Sequence, residues 1–211
     1  MSKYEVFYFP TTGRAEFARQ LLEYSDADWV DRYPKEWPAE KPDTPYGKLP
    51  VLYEHQPNGE TFMLAETQAI EIYLANKFGL MGESPQEKAQ RLSVYLQWYE
   101  VTIPFFTERF GSEEIKQSFQ DLFIKNFEYL LVKHGELLNK NGTGLYFGEK
   151  ITAVDIQAFG LFQLFKEHPR FEEVKEHVAP LEKLCETMLK DAKFRKTLEN
   201  ASERNKGYKP L

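Results

Sequence analysis

The sequence has very little cysteine, no long apolar run and no excess of positive charge. Its 211 residues include one cysteine, Cys185, which excludes an internal disulfide, a four-thiolate zinc site and a paired-cysteine redox motif. The formal net charge is −6, so nucleic acid and anionic membrane surfaces are not expected partners. No apolar run approaches the about 18 residues of a membrane span, and the charged opening Met1-Ser2-Lys3-Tyr4-Glu5 is not typical of a secretory signal. These absences predict a cytoplasmic protein.

Several catalytic motifs are missing as well. The four histidines show neither HExxH nor paired ligand spacing, which argues against a metal site. No glycine-rich phosphate cradle and no GxSxG elbow is present. The first predicted turn, 9–13, contains no cysteine, so disulfide exchange is excluded. Any nucleophile for chemistry at this turn has to be brought by a second molecule.

The first eighty residues alternate short apolar runs with helical patterns. Strands are predicted over 3–9, 29–33, 51–54 and 61–65, and helices over 14–24 and 67–78. Residues 34–45 contain four prolines and cannot form a regular helix. The last two strands are joined through Pro57-Asn58-Gly59, a hairpin signal. The order predicts a four-stranded mixed sheet with helices packed on it.

From Ser84 onward the pattern is helical throughout. Ser84-Pro85-Gln86-Glu87 is a capping box, and Thr152-Ala153-Val154-Asp155 is a second cap that opens a very apolar helix. The long helix after Ser84 carries apolar residues at alternating spacings of four and three, which predicts a buried stripe. The members of this stripe are Leu92, Leu96, Tyr99, Ile103, Phe106 and Phe110. We therefore expect an all-helical second half.

A tyrosine at the end of the first predicted strand is the best candidate for chemistry. Tyr8 is followed by Gly13-Arg14-Ala15-Glu16, which enters a helix. A phenol that donates to a thiolate lowers the pKa of the thiol from about 8.5, and a nearby arginine and a helix N-terminus act in the same direction. Such a site would activate a sulfur nucleophile supplied by another molecule. The alternative is that Tyr8 is one ordinary residue of an aromatic strand.

Four ordered segments carry a resemblance to a known family. They are Tyr4-Glu5-Val6-Phe7-Tyr8-Phe9 with Gly13-Arg14-Ala15-Glu16 and Arg19; Trp37-Pro38 with Lys41 and Tyr46-Gly47-Lys48-Leu49-Pro50-Val51-Leu52; Glu66-Thr67-Gln68-Ala69-Ile70; and Gly148-Glu149-Lys150-Ile151-Thr152-Ala153-Val154-Asp155. Together they resemble the soluble glutathione transferases, most of all the sigma class. The resemblance implies an α/β plus all-α fold. A thioredoxin-like β-α-β-α-β-β-α domain (1–78) would bind glutathione, and an all-helical domain (85–211) after a linker (79–84) would contribute the electrophile pocket.

The resemblance also implies roles for individual residues. Tyr8 would donate to the glutathione sulfur, and Arg14 would support the thiolate electrostatically. Trp37 and Lys41 would contact the glycyl end of glutathione, because lysine suits its carboxylate. Lys48 would lie beside that end.

Further residues would hold the rest of the tripeptide. Leu49 would pair its backbone with the cysteinyl unit, which requires a cis Leu49–Pro50 bond. Glu66 would bind the γ-glutamyl ammonium, and Thr67 its carboxylate. Glu100 aligns with an acidic residue that reaches the same ammonium across a dimer.

Fewer residues are proposed to contact the second substrate and a partner subunit. Phe9, Thr11, Thr107 and Tyr208 are the candidates for the second-substrate pocket. Tyr46 lies where several classes place an aromatic residue that enters the partner subunit of a homodimer; a plain surface tyrosine is the alternative.

The resemblance implies a glutathione S-transferase that conjugates glutathione to electrophilic small molecules, as in detoxification. Two alternatives stay open. One is a glutathione-dependent isomerase of the prostaglandin-synthase type, and the other is a non-catalytic ligand-binding or crystallin-like relative. Glutathione would be the co-substrate, and no metal is expected.

Overall fold

In the computed structural model, which describes residues 1–208, the four predicted strands form one mixed sheet. The strands are β1 (Lys3–Phe7), β2 (Asp28–Arg32), β3 (Val51–His55) and β4 (Thr61–Ala65), in the order β2-β1-β3-β4. β1 pairs with β2 in parallel and with β3 antiparallel, and β3 and β4 form an antiparallel hairpin. The parallel pair needs a crossover connection, which α1 (Glu16–Tyr24) supplies. α2 (Thr67–Lys77) follows β4 and contacts α1.

Two details of this sheet differ from the predicted pattern. The helix that the family resemblance implies between the second and third strands is a single 3₁₀ turn, Lys41–Asp43, in agreement with the prolines of this segment, which interrupt regular hydrogen bonding. The first strand ends at Phe7 and not at residue 9. Tyr8 still donates its backbone N–H to the Arg32 carbonyl at 3.0 Å, but Pro10 has no N–H with which to continue the pairing.

The strand register places four strand ends at one edge of the sheet. Phe7, the last residue of β1, lies opposite Arg32 and opposite Val51, and Val51 lies opposite Ala65. Phe7, Val51 and Ala65 also form a buried apolar cluster. The segments that follow β1, β2 and β4 and the segment that precedes β3 therefore leave the sheet at the same edge.

The chain from Leu80 to Asp191 forms a second unit, which is helical. Its helices are α3 (Pro85–Phe110), α4 (Glu113–Asn141), α5 (Ala153–Phe165) and α6 (Ala179–Met188), with a 3₁₀ segment at Phe171–His177. Both predicted capping boxes are confirmed: Ser84 and Glu87 close the start of α3, and Thr152 and Asp155 close the start of α5. Among the helices within residues 1–208, none has the length and apolar character needed to cross a membrane.

The last helix belongs to the first unit, which differs from the predicted boundary of the second domain. The first unit consists of Met1–Gly79 and the chain from Ala192 onward. α7 (Ala192–Asn205) packs against α1, and Arg204 donates to Glu16 at 2.6 Å. Arg204 lies 188 residues from Glu16 in the sequence, so α7 completes this unit through tertiary contacts that local sequence pattern does not report.

The predicted buried stripe of α3 is wrong, because none of its members is buried. Leu96, Ile103 and Phe110 are 38%, 59% and 61% exposed, and Leu92, Tyr99 and Phe106 are half-buried. The side of α3 that is buried carries Val94, Tyr95, Trp98, Val101, Pro104 and Phe105. The helix has apolar residues on two faces, and packing against the other helices of the unit, which the local spacing does not report, selects the face that carries Trp98.

Candidate functional site

Tyr8 lies directly after β1 and is buried, with 8% of its surface exposed. Its hydroxyl oxygen accepts a hydrogen bond from the backbone N–H of Arg14 at 3.2 Å. This amide uses one lone pair of the phenol oxygen, so the phenol hydrogen is available to donate to another group. The sheet edge thus presents a hydroxyl donor beside the 3₁₀ turn Gly13–Ala15 that leads into α1.

Gly13 packs closely against this hydroxyl. Its φ angle is +43°, a conformation that favours glycine. A Cβ atom at this position would lie 2.7 Å from the Tyr8 hydroxyl oxygen. The absence of a side chain at Gly13 therefore allows the phenol to reach the Arg14 amide.

Arg14 contributes to the site through its backbone. Its N–H meets the Tyr8 oxygen, whereas the residue as a whole is exposed. An exposed guanidinium is mobile and well hydrated, so its effect on a nearby charge is weakened by solvent. The electrostatic role predicted for the Arg14 side chain stays a prediction.

The segment after β2 returns to the vicinity of Tyr8 through aromatic contacts. The Phe9 ring lies 5.6 Å from the Tyr8 ring and 5.6 Å from the Trp37 ring, in edge-to-face geometry. The Lys41 ammonium lies 5.7 Å from the centre of the Trp37 ring. Tyr8, Trp37 and Lys41, which the sequence proposed as one site, are therefore linked by a continuous set of contacts.

The segment before β3 reaches the same edge. The Leu49–Pro50 bond is cis, as predicted. Trp37–Pro38 is also cis, which its local sequence does not predict. Leu49 packs against the cluster of Phe7, Val51 and Ala65, and Lys48 is exposed.

Glu66 and Thr67 occupy the start of α2, at the end of β4. Glu66 is the N-cap and has φ +75°, ψ 123°, a conformation that costs a non-glycine residue on the order of 1–3 kcal/mol. The carbonyl of Glu66 accepts from the Ile70 amide at 3.0 Å. The amides of the first helical turn have no partner within the helix and suit an anionic group. Strain of this kind concentrates at binding sites.

Two of the candidates for the second-substrate pocket lie in the loop beside Tyr8, and a third is in the same unit. Phe9 contacts Tyr8, and Thr11 is buried with a hydroxyl that has no hydrogen-bond partner among the described residues. Tyr208 donates its hydroxyl to Asp31 at 2.9 Å. The fourth candidate, Thr107, lies on α3 and donates its hydroxyl to the Ile103 carbonyl.

Glu100 and Tyr46 are both exposed in the single chain. Glu100 is on α3, in the helical unit, where it lines a groove of about 630 Å³ between α3 and α4. Tyr46 is 66% exposed. Both predicted roles depend on a partner subunit, and both stay predictions.

The single cysteine lies on α6, in the helical unit. Cys185 is free and buried, and burial raises the pKa of its thiol to about 11. A thiol in this state is a poor nucleophile. Among residues 1–208, no group of three or more His, Cys, Asp or Glu side chains could hold a metal ion.

Sequence reasoning gave no role to a buried arginine that organises the loop beside Tyr8. Arg19 is fully buried in α1, pairs with Asp31 at 2.8 Å and donates to the carbonyl of Thr11 at 2.7 Å. One signal was present in the sequence. Arg19 lies between Ala18 and Leu21 on the apolar side of α1, where a charged residue requires buried partners.

Comparisons with known proteins agree with this architecture. A protein of Caenorhabditis elegans named probable glutathione S-transferase 7 is 37% identical over 163 residues, covering 74% of this chain and 77% of that protein. The solved Nu-class GST from Haemonchus contortus matches with a TM-score of 0.78 and 27% identity, over 94% of this chain and 97% of the other. The sigma-class GST of Fasciola hepatica matches with a TM-score of 0.79 and 24% identity, over 94% and 96% of the two chains. No family model matches the sequence.

Proposed function

Since the chain belongs to the glutathione S-transferase family, we propose that Tyr8 holds the sulfur of glutathione as a thiolate for attack on electrophilic small molecules. The protein is an enzyme of this family, and glutathione is its co-substrate. We propose that the protein is similar to the sigma class in its mechanism as well as in its fold.

The geometry of the Tyr8 hydroxyl is the single observation that carries this proposal. The oxygen accepts from the Arg14 amide, and this bond leaves the phenol hydrogen free to donate to a sulfur. The amide also lies at the start of a helix, where the backbone favours negative charge. A thiol placed here would lose its proton to solvent and remain as a thiolate, stabilised by one hydrogen bond from Tyr8.

The γ-glutamyl end of the tripeptide would lie at the start of α2. From the end of β1 across β3 to the start of α2 is two strand spacings, about 9–10 Å, which is the distance that this end has to span from the cysteinyl sulfur. With the sulfur at Tyr8, the γ-glutamyl end would reach Glu66 and Thr67. We propose that Glu66 binds its ammonium and that the first turn of α2 binds its carboxylate.

The other end of the tripeptide would meet positive charge. Lys41 is exposed beside Trp37, and Lys48 is exposed next to Leu49. We propose that the two lysines bind the glycyl carboxylate, that Trp37 packs on the glycyl end, and that the backbone of Leu49 pairs with the cysteinyl unit.

In the reaction, the bound thiolate attacks an electrophilic carbon and forms a carbon–sulfur bond. The electron pair displaced from that carbon leaves with the leaving group, or takes a proton from water when the substrate is an activated double bond. The contribution of the protein is to ionise the sulfur and to position it. Phe9 and Thr11, beside Tyr8, are the residues of the first unit that we propose to meet the electrophile.

Replacing Tyr8 tests the proposal. A hydrogen bond to a charged group contributes about 1.5–3 kcal/mol, so Tyr8→Phe should lower the rate of conjugation roughly 10- to 150-fold. Glutathione binding should persist. A pH titration of thiolate absorbance should give a pKa for bound glutathione well below about 8.5 in the wild type and a higher one in the variant.

Tyr53→Phe is the matched control, because Tyr53 is a half-buried tyrosine of the same sheet on β3, outside the proposed site. It should conjugate like the wild type. Unchanged activity and unchanged thiolate titration in Tyr8→Phe would refute the role of Tyr8. Product formation without consumption of glutathione would identify an isomerase, and glutathione binding without turnover of several electrophiles would identify a non-catalytic relative.

We also propose that the protein is a cytoplasmic homodimer. α3 exposes apolar residues at seven-residue spacing, and so does α4: Leu96, Ile103, Phe110, Ile115, Leu122 and Tyr129. Exposed apolar stripes of this extent are typical of protein interfaces. The proposed roles of Tyr46 and Glu100 belong to this dimer.

A further inference from the structure

The loop that carries the Tyr8 site is fixed by one buried guanidinium. Arg19 Nη1 donates to the carbonyls of Thr11 and Thr12 at 2.7 and 3.3 Å, and Nη2 donates to the carbonyl of Phe9 at 3.2 Å. The guanidinium carbon also lies 5.7 Å from the centre of the Tyr8 ring. The position of Arg19 therefore determines the backbone between Tyr8 and Gly13.

Arg19 is itself held by a carboxylate on the neighbouring strand. Its Nε donates to Asp31 Oδ1 at 2.8 Å, and the side chain of Asp31 is 8% exposed. A buried ion pair is stable only when its remaining oxygen atoms and protons also have partners. The second oxygen of Asp31 thus needs a donor of its own.

Tyr208 supplies that donor from the far end of the chain. Its hydroxyl donates to Asp31 Oδ2 at 2.9 Å, and its ring lies 5.2 Å from the Arg19 guanidinium. Burial raises the pKa of the Tyr208 phenol, so it stays a neutral donor at ordinary pH. Tyr33 also donates to Asp31 Oδ2, at the longer distance of 3.3 Å, from an exposed position.

The helix before Tyr208 is anchored to the same element as Arg19. Arg204 of α7 pairs with Glu16 at 2.6 Å, and both side chains are largely buried. Glu16 in turn lies 3.7 Å from Arg19. α7 thereby brings Tyr208 to Asp31 as part of one connected set of charges.

We propose that Tyr208 is a positioning residue for Tyr8, acting through Asp31 and Arg19 on the loop that sets the phenol against Gly13 and Arg14. This inference rests on the proposed role of Tyr8. It differs from the pocket role that the sequence suggested for Tyr208, because here the hydroxyl serves Asp31 and not the second substrate. The Gly13 contact leaves little room for the phenol to move. A small shift of the loop therefore alters the hydrogen bond that the Arg14 amide donates to the Tyr8 oxygen.

Tyr208→Phe, with Tyr33→Phe as the matched control, tests this inference. Each variant removes one tyrosine hydroxyl that donates to Asp31 Oδ2. We expect Tyr208→Phe to lower kcat about 2- to 30-fold and to raise the pKa of bound glutathione, with little change in KM for glutathione. Tyr33→Phe, which loses a longer and weaker bond, should stay within about twofold of the wild type.

A double-mutant cycle separates positioning from direct contact with the electrophile. If Tyr208 acts through Tyr8, adding Tyr208→Phe to Tyr8→Phe should change neither kcat nor the thiolate titration further. If Tyr208→Phe lowers kcat by the same factor in the wild type and in Tyr8→Phe, the inference is overturned and Tyr208 is assigned to the second substrate.

The NMR signal of the Tyr8 ring, in protein with labelled tyrosine and assigned by Tyr8→Phe, gives a readout that does not depend on chemistry. It should shift in Tyr208→Phe and remain in place in Tyr33→Phe. If the signal shifts but Tyr8→Phe does not alter the thiolate titration, the proposed function fails while the positioning contact stands. If neither the signal nor the titration changes in Tyr208→Phe, the inference is wrong.

Discussion

At the scale of single residues, Gly13 has the strictest steric requirement near Tyr8. Gly13→Ala would place a methyl group 2.7 Å from the Tyr8 hydroxyl oxygen, and the phenol would have to move. We expect the rate of conjugation to fall on the order of 10- to 100-fold, because a displacement of about 1 Å in the site can lower a rate by this much. Steady-state kinetics with a saturating electrophile measures this loss.

Gly148→Ala separates this contact from backbone strain. Gly148 also has a positive φ, +61°, but nothing lies within 4 Å of a Cβ atom built there. Both variants should lose stability, on the order of 1–3 kcal/mol, while only Gly13→Ala should lose activity. Equal activities of the two variants would show that the Gly13 contact does not matter for Tyr8.

A second prediction at this scale concerns His134, which is buried in the helical unit and shares a 2.8 Å hydrogen bond with Tyr146. Burial lowers the pKa of His134 to about 4, whereas an unfolded histidine has a pKa of about 6.5. As pH falls from 6.5 towards 4, the unfolded chain takes up a proton that the folded chain does not. Part of the stability present above pH 6.5, about 3.4 kcal/mol at most, is therefore lost over this pH range.

Urea unfolding at a series of pH values measures this slope. His134→Gln should be less stable than the wild type at pH 7 and should lose less stability between pH 6.5 and 4. His55→Gln is the control, because His55 is exposed. If His134→Gln shows the slope of the wild type, burial of His134 is not the cause of the acid sensitivity.

At the scale of elements, the chain contains two capping boxes in different surroundings. Asp155 is fully buried and accepts from the amide of Tyr146, the amide of Thr152 and the hydroxyl of Thr152, at 2.6–2.8 Å. Glu87, in the box of α3, is exposed and accepts from the amides of Glu83 and Ser84. If Glu87 is removed, water can accept the hydrogen bonds from its exposed donors, but water cannot reach the buried donors that Asp155 satisfies.

We therefore expect Asp155→Ala to destabilise the protein by about 2–4 kcal/mol, the sum of a lost cap and of buried amides left without partners. Glu87→Ala should have a clearly smaller effect. Thermal unfolding of both variants provides the comparison, and Asp155→Asn, which keeps one acceptor oxygen, should fall between them. Similar losses for the two alanine variants would contradict the importance of burial.

At the scale of the whole molecule, the exposed stripes of α3 and α4 predict a dimer. Sedimentation should give a mass close to twice the 24.8 kDa of one chain. Ile103→Asp places a charge in the stripe of α3 and should produce a monomer, because burying an unpaired charge in an interface is costly. Leu189→Asp is the matched control, since Leu189 is also exposed, at 43%, but lies outside both stripes.

A wild-type protein that sediments as a monomer would reject the dimer itself. A dimer that persists in Ile103→Asp would place the interface elsewhere. In a confirmed dimer, Tyr46→Ala would then test whether Tyr46 enters the partner subunit, with weaker association as the expected outcome.

The sequence alone determined the features that depend on neighbouring residues. The helices, both capping boxes and the hairpin of β3 and β4 follow from contacts within one turn or one hairpin, and β1 and β2 are short apolar runs, so their signals lie within a few positions of each other. Tyr8 could also be proposed from the sequence, because the end of the first strand, the turn and the helix start are consecutive.

Tertiary structure alone decided which distant residues meet. The buried face of α3, the place of α7 in the first unit and the linkage of Arg19 to Asp31 and Tyr208 have no local signature. The reason is physical: an apolar helix face or a buried charge specifies that it needs a partner, but packing of the whole chain selects which partner it finds. The Gly13 contact is of the same kind, since the direction of the Tyr8 ring is set by the sheet and by α1 together.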